Sequence, residues 1–323
     1  MKMRILKIIF FYFLILVNQA NAIDQFNFNV TEAEILDDGN IFKGTKGGTA
    51  TSNEGLAISA DNFEYNKKIN ILNASGNVKI EDSANDQIIF SEKIIYIKNE
   101  EKIITKGETR AIIDSNYNFL SSDIIFLRNE MVLSSENKSS LTDKDTNLYK
   151  FENFKYLIDK KILKANALKI TTNYSGPENE RDIFEFESGF FNLENKNFVA
   201  KDTKINVKKN IFDNTDNDPR IKGVSSKKEG DITEINKAAF TSCKLREDDD
   251  CPPWSINAQK IIHDNTKKQL IYKNALLKIY DIPVLYFPKF FHPDPTVKRQ
   301  SGLLQPRLNN SETLGSSFLL PYF

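Results

Sequence analysis

Four short segments, Ala60 to Tyr65, Ser91 to Tyr96, Ser121 to Phe126 and Phe151 to Tyr156, recur every 30 or 31 residues. Gly76 and Gly107 keep the same step. A fixed period of this length marks a repeat array, whose units bury their apolar faces only by stacking on one another. Each unit holds about two strands. Phe154, Tyr156 and Ile158 alternate with Lys155, Leu157 and Asp159, and Leu168, Ile170 and Thr172 alternate with Lys169, Thr171 and Asn173. Helical periodicity is nowhere sustained. The fourth and sixth positions of the aligned units give an inward set: Phe63, Tyr65, Ile94, Tyr96, Ile124, Phe126, Phe154 and Tyr156, followed one step later by Phe184 and Phe186. The expected fold is all-β, with two sheets whose inner faces cover each other, and a parallel β-helix is the alternative. Alternation alone leaves two uses open for the inward set: a close-packed core, or the lining of a groove between splayed sheets.

Around this array the chain changes character several times. Met1 to Lys7 is basic, Ile8 to Val17 is apolar, and Ala20-Asn21-Ala22 supplies small residues, so residues 1–22 read as a secretory signal peptide. An apolar run of about ten residues is too short to span a bilayer as a helix. Residues 23–55, rich in Asn, Asp, Glu, Gly and Thr, read as a flexible N-terminal tether. Asp213 to Arg220 carries turn formers and no apolar residue, which predicts a polar surface insertion, and Ser225 to Asp231 reads as a charged loop.

Charge and composition exclude several functions. Loss of the leader takes Lys2, Arg4 and Lys7 from the 44 Lys and Arg that face 44 Asp and Glu, leaving a formal charge of −3. No basic stripe points to nucleic acid. His263-Asp264 and His292-Pro293-Asp294 are the histidine and carboxylate pairs, and neighbours on a strand face opposite ways and form no relay by themselves. There is no Gly-rich phosphate loop, nucleophile elbow or metal-spaced histidine cluster. Glu247 to Asp250 lacks the alternation and Gly turn of a calcium loop. A non-enzymatic chain with no metal or cofactor is expected. Cys243 and Cys251 form an isolated pair in an exported chain, for which a disulfide is the default over free or metal-bound thiols.

The stretch from Cys251 to Ser301 reads as a junction between two environments. Pro252-Pro253 stiffens the entry to Trp254, which suits a plug at the end of the array or a guard on a passage beyond it. Lys278 to Phe287 reads as one strand apolar on both faces, which water would not tolerate. With Phe290, Phe291 and Tyr322 it offers the aromatics of a membrane interface, and Lys298-Arg299 adds two cations.

An ordered set of motifs across this stretch, Trp254-Ser255, Ile262-His263-Asp264, Asn274-Ala275, Pro283 to Pro288, Lys298 to Gly302 and Leu320 to Phe323, resembles the lipopolysaccharide-assembly outer-membrane protein (LptD) family. The likeness fades toward the N-terminus, where only the style of repeat persists. It implies an OstA-like periplasmic open β-jellyroll over 56–288 and, over 289–323, a junction and the first strands of an outer-membrane β-barrel. It implies lipopolysaccharide as cargo, an LptA-type periplasmic bridge as donor, an LptE-type plug lipoprotein as companion, and the outer membrane as location. By the same resemblance the inward set lines a lipid groove, cysteines of this domain join cysteines of the barrel, and Pro306 and Pro321 weaken a seam through which lipid leaves sideways. After Gly302 only 21 residues follow, too few for a barrel of at least eight strands of about ten residues, so the chain reads as truncated. The rival readings are a complete soluble periplasmic lipid-binding or bridge protein and, further off, a carbohydrate-active β-helix enzyme.

Overall fold

A computed structural model describes residues 26–52, 55–208, 218–244, 252–294, 297, 307–311 and 315–319. The expected signal peptide lies outside them, as does most of the expected insertion at 213–220. The described chain is all-β, and its only helical pieces are three-residue 3-10 turns.

The strands form one antiparallel meander. It begins with β1 (Asn27–Leu36), β2 (Ile41–Thr51), β3 (Leu56–Ala60), β4 (Asn62–Asn66), β5 (Ile71–Asp82), β6 (Gln87–Ile97) and β7 (Lys102–Ile113). Next come β8 (Tyr117–Ser122), β9 (Ile125–Leu127), β10 (Val132–Ser135), β11 (Ser139–Thr142), β12 (Leu148–Phe151) and β13 (Asn153–Leu157). It ends with β14 (Ile162–Thr171), β15 (Ile183–Asn192), β16 (Phe198–Asn206), β17 (Arg220–Glu229), β18 (Ile232–Thr241), β19 (Trp254–Asp264), β20 (Gln269–Ile279) and β21 (Ile282–Pro293). β3 with β4, β8 with β9, β10 with β11, and β12 with β13 are halves of single strands: β2 and β5, for example, each pair with both β3 and β4. A separate hairpin joins β22 (Arg307–Ser311) to β23 (Gly315–Leu319).

Each long strand is creased at its middle. Ladder register slips there, between Val30 and Glu32, Ser75 and Val78, and Ser91 and Lys93. Later strands skip one residue at the same place, as where Asn166↔Ser188 is followed by Leu168↔Phe186. Many crease residues have φ > 0: Lys46, Gly76, Asn77, Gly107, Asp123, Ala167, Asp202, Lys237 and Asn274. An extra left-handed residue is a β-bulge, which bends a strand and changes which side its later residues face. Inward positions are therefore two apart within each half but three or four apart across the crease, three as in Ala60/Phe63, Ser91/Ile94, Ala165/Leu168, Ala258/Ile261 and Tyr272/Ala275 and four as in Ala74/Val78 and Thr105/Thr109, all buried. Both halves of every strand thus turn their apolar side inward, and the halves assemble into two walls of a V. Near the vertex space is short, and one member of nearly every such pair is Ala, Gly, Ser or Thr. Small hydroxyls there bond to each other, Thr109 to Thr105 at 2.7 Å and Thr203 to Ser226 at 2.6 Å. Phe151/Phe154 is the large-residue exception, and its rings pack 5.2 Å apart.

Several expectations are corrected. Residues 23–55 are not a tether from 27 on: β1 and β2 belong to the array, with β2 paired to both β3 and β4. Phe26, Phe28 and Val30 alternate inward, and Phe26 meets Tyr65 and Tyr96 edge-on at 5.4 and 5.5 Å. The polar composition had hidden this period of two. Ser225 to Asp231 is no loop either: Ser225–Glu229 completes β17, with Ser226 buried, and only the tip around Gly230 turns. Lys278 to Phe287 is not one strand, because Tyr280 and Asp281 both have φ > 0 and make the tight turn from β20 into β21. β21 runs through the expected boundary at residue 288.

Candidate functional site: an apolar cavity between parted lips

Because the meander alternates direction, its turns collect along the two free lips of the V. One lip holds the turns at 83–86, 114–116, 143–147 and 172–182; the facing lip holds those at 98–101, 128–131, 158–161, 193–197 and 265–268. Over the first half of the array the lips are tied by ion pairs that cross from one to the other. Arg128 reaches Asp82 at 2.9 Å and Glu101, on its own lip, at 2.5 Å. Lys161 pairs with Asp114. Lys196 pairs with Asp143 at 2.8 Å and Asp145 at 3.5 Å.

Exposure grades these rungs. The Arg128 side chain is 8% exposed and Asp82 1%, whereas Lys196 is 35% exposed. Burial works against the charge on Arg128, but hydrogen bonding to Asp82 and the nearby carboxylates raise its pKa further. Burial also opposes ionisation of Glu101, yet bonds from Lys98 and Tyr96 keep its carboxyl below the ordinary range. Asp143 behaves alike: burial raises its pKa, and bonds from Lys196 and Asn147 more than offset this. Folded-state pKa values below the unfolded ones mean stability that is present above about pH 4 and lost as pH falls through the folded values. Urea midpoints should therefore drop steeply below about pH 4, after a shallower decline that begins near pH 6.5, where His292, whose pKa burial lowers, starts to favour the unfolded chain. An Asp143→Asn variant should lose part of the acid-induced drop, and an unchanged slope would contradict the assignment.

Beneath these rungs the walls touch. Phe63, Tyr65, Ile94, Tyr96, Ile124, Phe126, Phe154 and Tyr156 are each no more than 3% exposed, within one continuous core that ends near Ala200. A second core, from Ile205 to Ala275, is built on β16 to β20. Between the two the walls stand apart and enclose a cavity of about 650 Å³. Phe184 and Phe186 line it, so of the ten inward residues picked from sequence only these two face open space. Phe191, Phe198, Ile205, Ile221, Ile235, Phe240 and Leu270 are among the other apolar residues of the lining. Sequence reasoning missed them, although counting on from Phe186 by twos and threes reaches Phe191, Phe198 and Ile205.

The cavity's polar rim includes Lys196, Lys208, Lys228, Lys268, Asp182, His263 and Asp294. His263 Nε2 lies 2.5 Å from Asp294 Oδ2. His292 takes a different partner, Tyr272 Oη at 2.9 Å. Asp182 accepts the Lys208 backbone N–H at 2.9 Å. Among the described residues no ion pair engages the ammonium groups of Lys208, Lys228 or Lys268, and no cluster of His, Cys, Asp and Glu is arranged to hold a metal.

Trp254 packs on Phe240 of the second core at 6.0 Å, and its carbonyl accepts Thr241 Oγ1 at 2.8 Å. Cys243 Sγ approaches the same carbonyl at 3.9 Å, while Cys251 lies outside the described residues and leaves the expected disulfide there too. Pro306, Pro321, Lys298 and Arg299 also lie outside them. β21 exposes both faces, with Ile282 at 66%, Leu285 at 50%, Tyr286 at 53% and Phe291 at 55%. Among the described residues no helix is long and apolar enough to cross a membrane, which says nothing of crossing by strands.

No family model matches the chain. Curated proteins do match part of it. It is 34% identical over 99 residues to the LPS-assembly protein LptD of Hahella chejuensis, covering 30% of this chain and 12% of that protein. The same identity holds over 95 residues of LptD from Xanthomonas oryzae pv. oryzae, 29% of this chain and 11% of the relative. It holds again over 89 residues of LptD from Legionella pneumophila, 28% and 10%. The matched stretch thus spans about a tenth of the length of these relatives.

Proposed function

We propose, on the premise that this chain is part of an LPS-assembly protein of the LptD family, that its β-array carries lipopolysaccharide toward the outer membrane. The observation that carries this reading is the cavity. Protein interiors are close-packed, and a void of several hundred Å³ lined by aromatic and aliphatic side chains is the size and chemistry of a ligand site. Acyl chains fit the apolar walls, and the lysines of the rim suit the anionic groups that such a lipid carries. The chain acts by transfer and not by catalysis. In the fuller form of the proposal, the jellyroll takes lipid from an LptA-type bridge. It passes the acyl chains toward the bilayer and the sugar toward a barrel that an LptE-type lipoprotein plugs. β21, apolar on both exposed faces, is the strand nearest the membrane, and Pro306 and Pro321 loosen the exit seam, since proline donates nothing to a ladder.

Photo-crosslinking in cells that depend on the full-length protein tests this. Crosslinkers at Phe184 and Phe186 should capture lipopolysaccharide, and those at the outward positions Glu64, Lys155 and Glu187 should not. Capture at Phe63, Ile94, Ile124 and Phe154 would show in addition that the closed section parts during transport. Equal capture on both faces, or none inside, sinks the groove. In the same cells, Pro306→Ala with Pro321→Ala should slow export at normal protein level, and export at the wild-type rate removes the gate.

A further inference from the structure

The cross-lip rungs form a series with a regular stride. Asp82 pairs with Arg128, 46 residues on; Asp114 with Lys161, 47 on; and Asp143 with Lys196, 53 on. Continuing from Asp182 by the first stride reaches Lys228. Both line the cavity, on opposite lips, yet no ion pair joins them. The boundary between closed and open array therefore falls between a rung that is made, Asp143–Lys196, and one that is not.

The last made rung can be given up without loss of hydrogen bonding at its buried end. Apart from Lys196, the Asp143 carboxylate accepts the backbone N–H groups of Asp145 at 3.0 Å and Asn147 at 2.9 Å, the Asn147 amide at 3.0 Å and the Tyr149 hydroxyl at 3.0 Å. With four other donors in place, departure of the ammonium leaves no buried acceptor unsatisfied. Arg128 has no such freedom, because Asp82 and Glu101 are buried around it. Lys196 already borders the cavity, and Lys208 and Lys228 stand on the same rim with no ion-pair partner among the described residues.

We infer that Lys196 is an exchangeable clasp: the anionic headgroup of an amphiphile seated in the cavity takes Lys196 from Asp143 and Asp145, and the exchange advances the open section by one rung. This rests on the cavity being a lipid site, and it adds both a selecting residue and a means of opening. A neutral amphiphile fills the same cavity without moving the clasp.

Two probes with the same acyl chain separate the claims: lysophosphatidic acid, which carries a phosphate, and the neutral monoacylglycerol, each kept below its micelle concentration. Binding to the 323-residue chain is measured by calorimetry. The phosphate probe should bind more tightly, and Lys196→Gln should weaken it about fivefold, the size expected of a partly exposed ion pair. The neutral probe should be unaffected, and Lys196→Arg should restore the preference. Asp145→Asn removes a competitor for the ammonium and should tighten the phosphate probe, but only while Lys196 is present. If Asp145→Asn tightens it equally in the Lys196→Gln background, the effect is mere charge repulsion and the exchange is wrong. Equal affinity of the wild-type chain for both probes also overturns the clasp while leaving the cavity reading intact. Failure of both probes to bind defeats the cavity reading itself.

Discussion

Arg128→Met should cost about 3–5 kcal/mol of folding stability, the loss typical when one partner of a buried charge cluster is removed. The guanidinium spans the two lips, with Nη2 on Asp82 Oδ2 at 2.9 Å and Nη1 on Glu101 Oε2 at 2.5 Å. Its removal strands a carboxylate that is 1% exposed and has no route to water. The penalty belongs to the orphaned charge and not to any net benefit of the pair. Replacing Asp82 by Leu alongside Arg128→Met should therefore recover most of it, because Glu101 keeps Lys98 and Tyr96 as partners. Guanidinium denaturation of the single and double variants reads both quantities. A single variant within about 1 kcal/mol of the parent would mean that water reaches the cluster and that the closed section is less tightly sealed than its geometry implies.

Gly48→Ala should detach the first strand from the array. A Cβ at Gly48 would press on the Asn29 carbonyl oxygen and stand 2.7 Å from Val30 Cα, so it meets main chain and not a side chain that could swing aside. Overpacking of this kind costs about 1–3 kcal/mol. β1 pairs with β2 alone, so the strain is relieved locally, by opening β1. Amide exchange over Asn27–Leu36 should then accelerate by about 5- to 150-fold, while β5 and β6 keep their protection. Gly47, with φ of 84° and open space around its Cβ position, is the control for backbone conformation without a clash. Unchanged exchange in β1 would show that the strand is held by something other than its fit against β2.

How much of this was legible in the chain depended on side-chain size. The aromatic inward residues announced themselves: Phe63, Tyr65, Tyr96 and Tyr156 repeat at a constant step, and all are buried. The crease did not, since its markers are modest. They are Ala, Ser and Thr at the vertex, and a shift of spacing from two to three or four that propensity alone does not flag. β1 was masked for a related reason, because Asn27, Asn29 and Thr31 between its apolar residues look like a polar tract unless alternation is weighed above composition. The cavity was the least visible. Phe184 and Phe186 obey the same pattern as the packed residues before them, and what sets them apart is the distance between facing walls. That distance is set by pairings between lips some fifty residues apart, such as Asp143 with Lys196, and no local pattern reports it.

The crease has a mechanical consequence. Along that line the strands' ladders are already interrupted, by a register slip or a skipped pair, and the residues there hold left-handed or bulged geometry in strand after strand. Rotation of one wall against the other is therefore concentrated where little regular pairing has to be broken. The line acts as the spine of a book, compliant along its length, while each cover keeps its own hydrogen bonds. Resistance to opening then resides in the apolar contact between the covers and, at the fore-edge, in a few side chains whose charges and exposure differ from rung to rung. Where the covers already stand apart, at the cavity, that contact is gone and the fore-edge ion pairs carry the larger share.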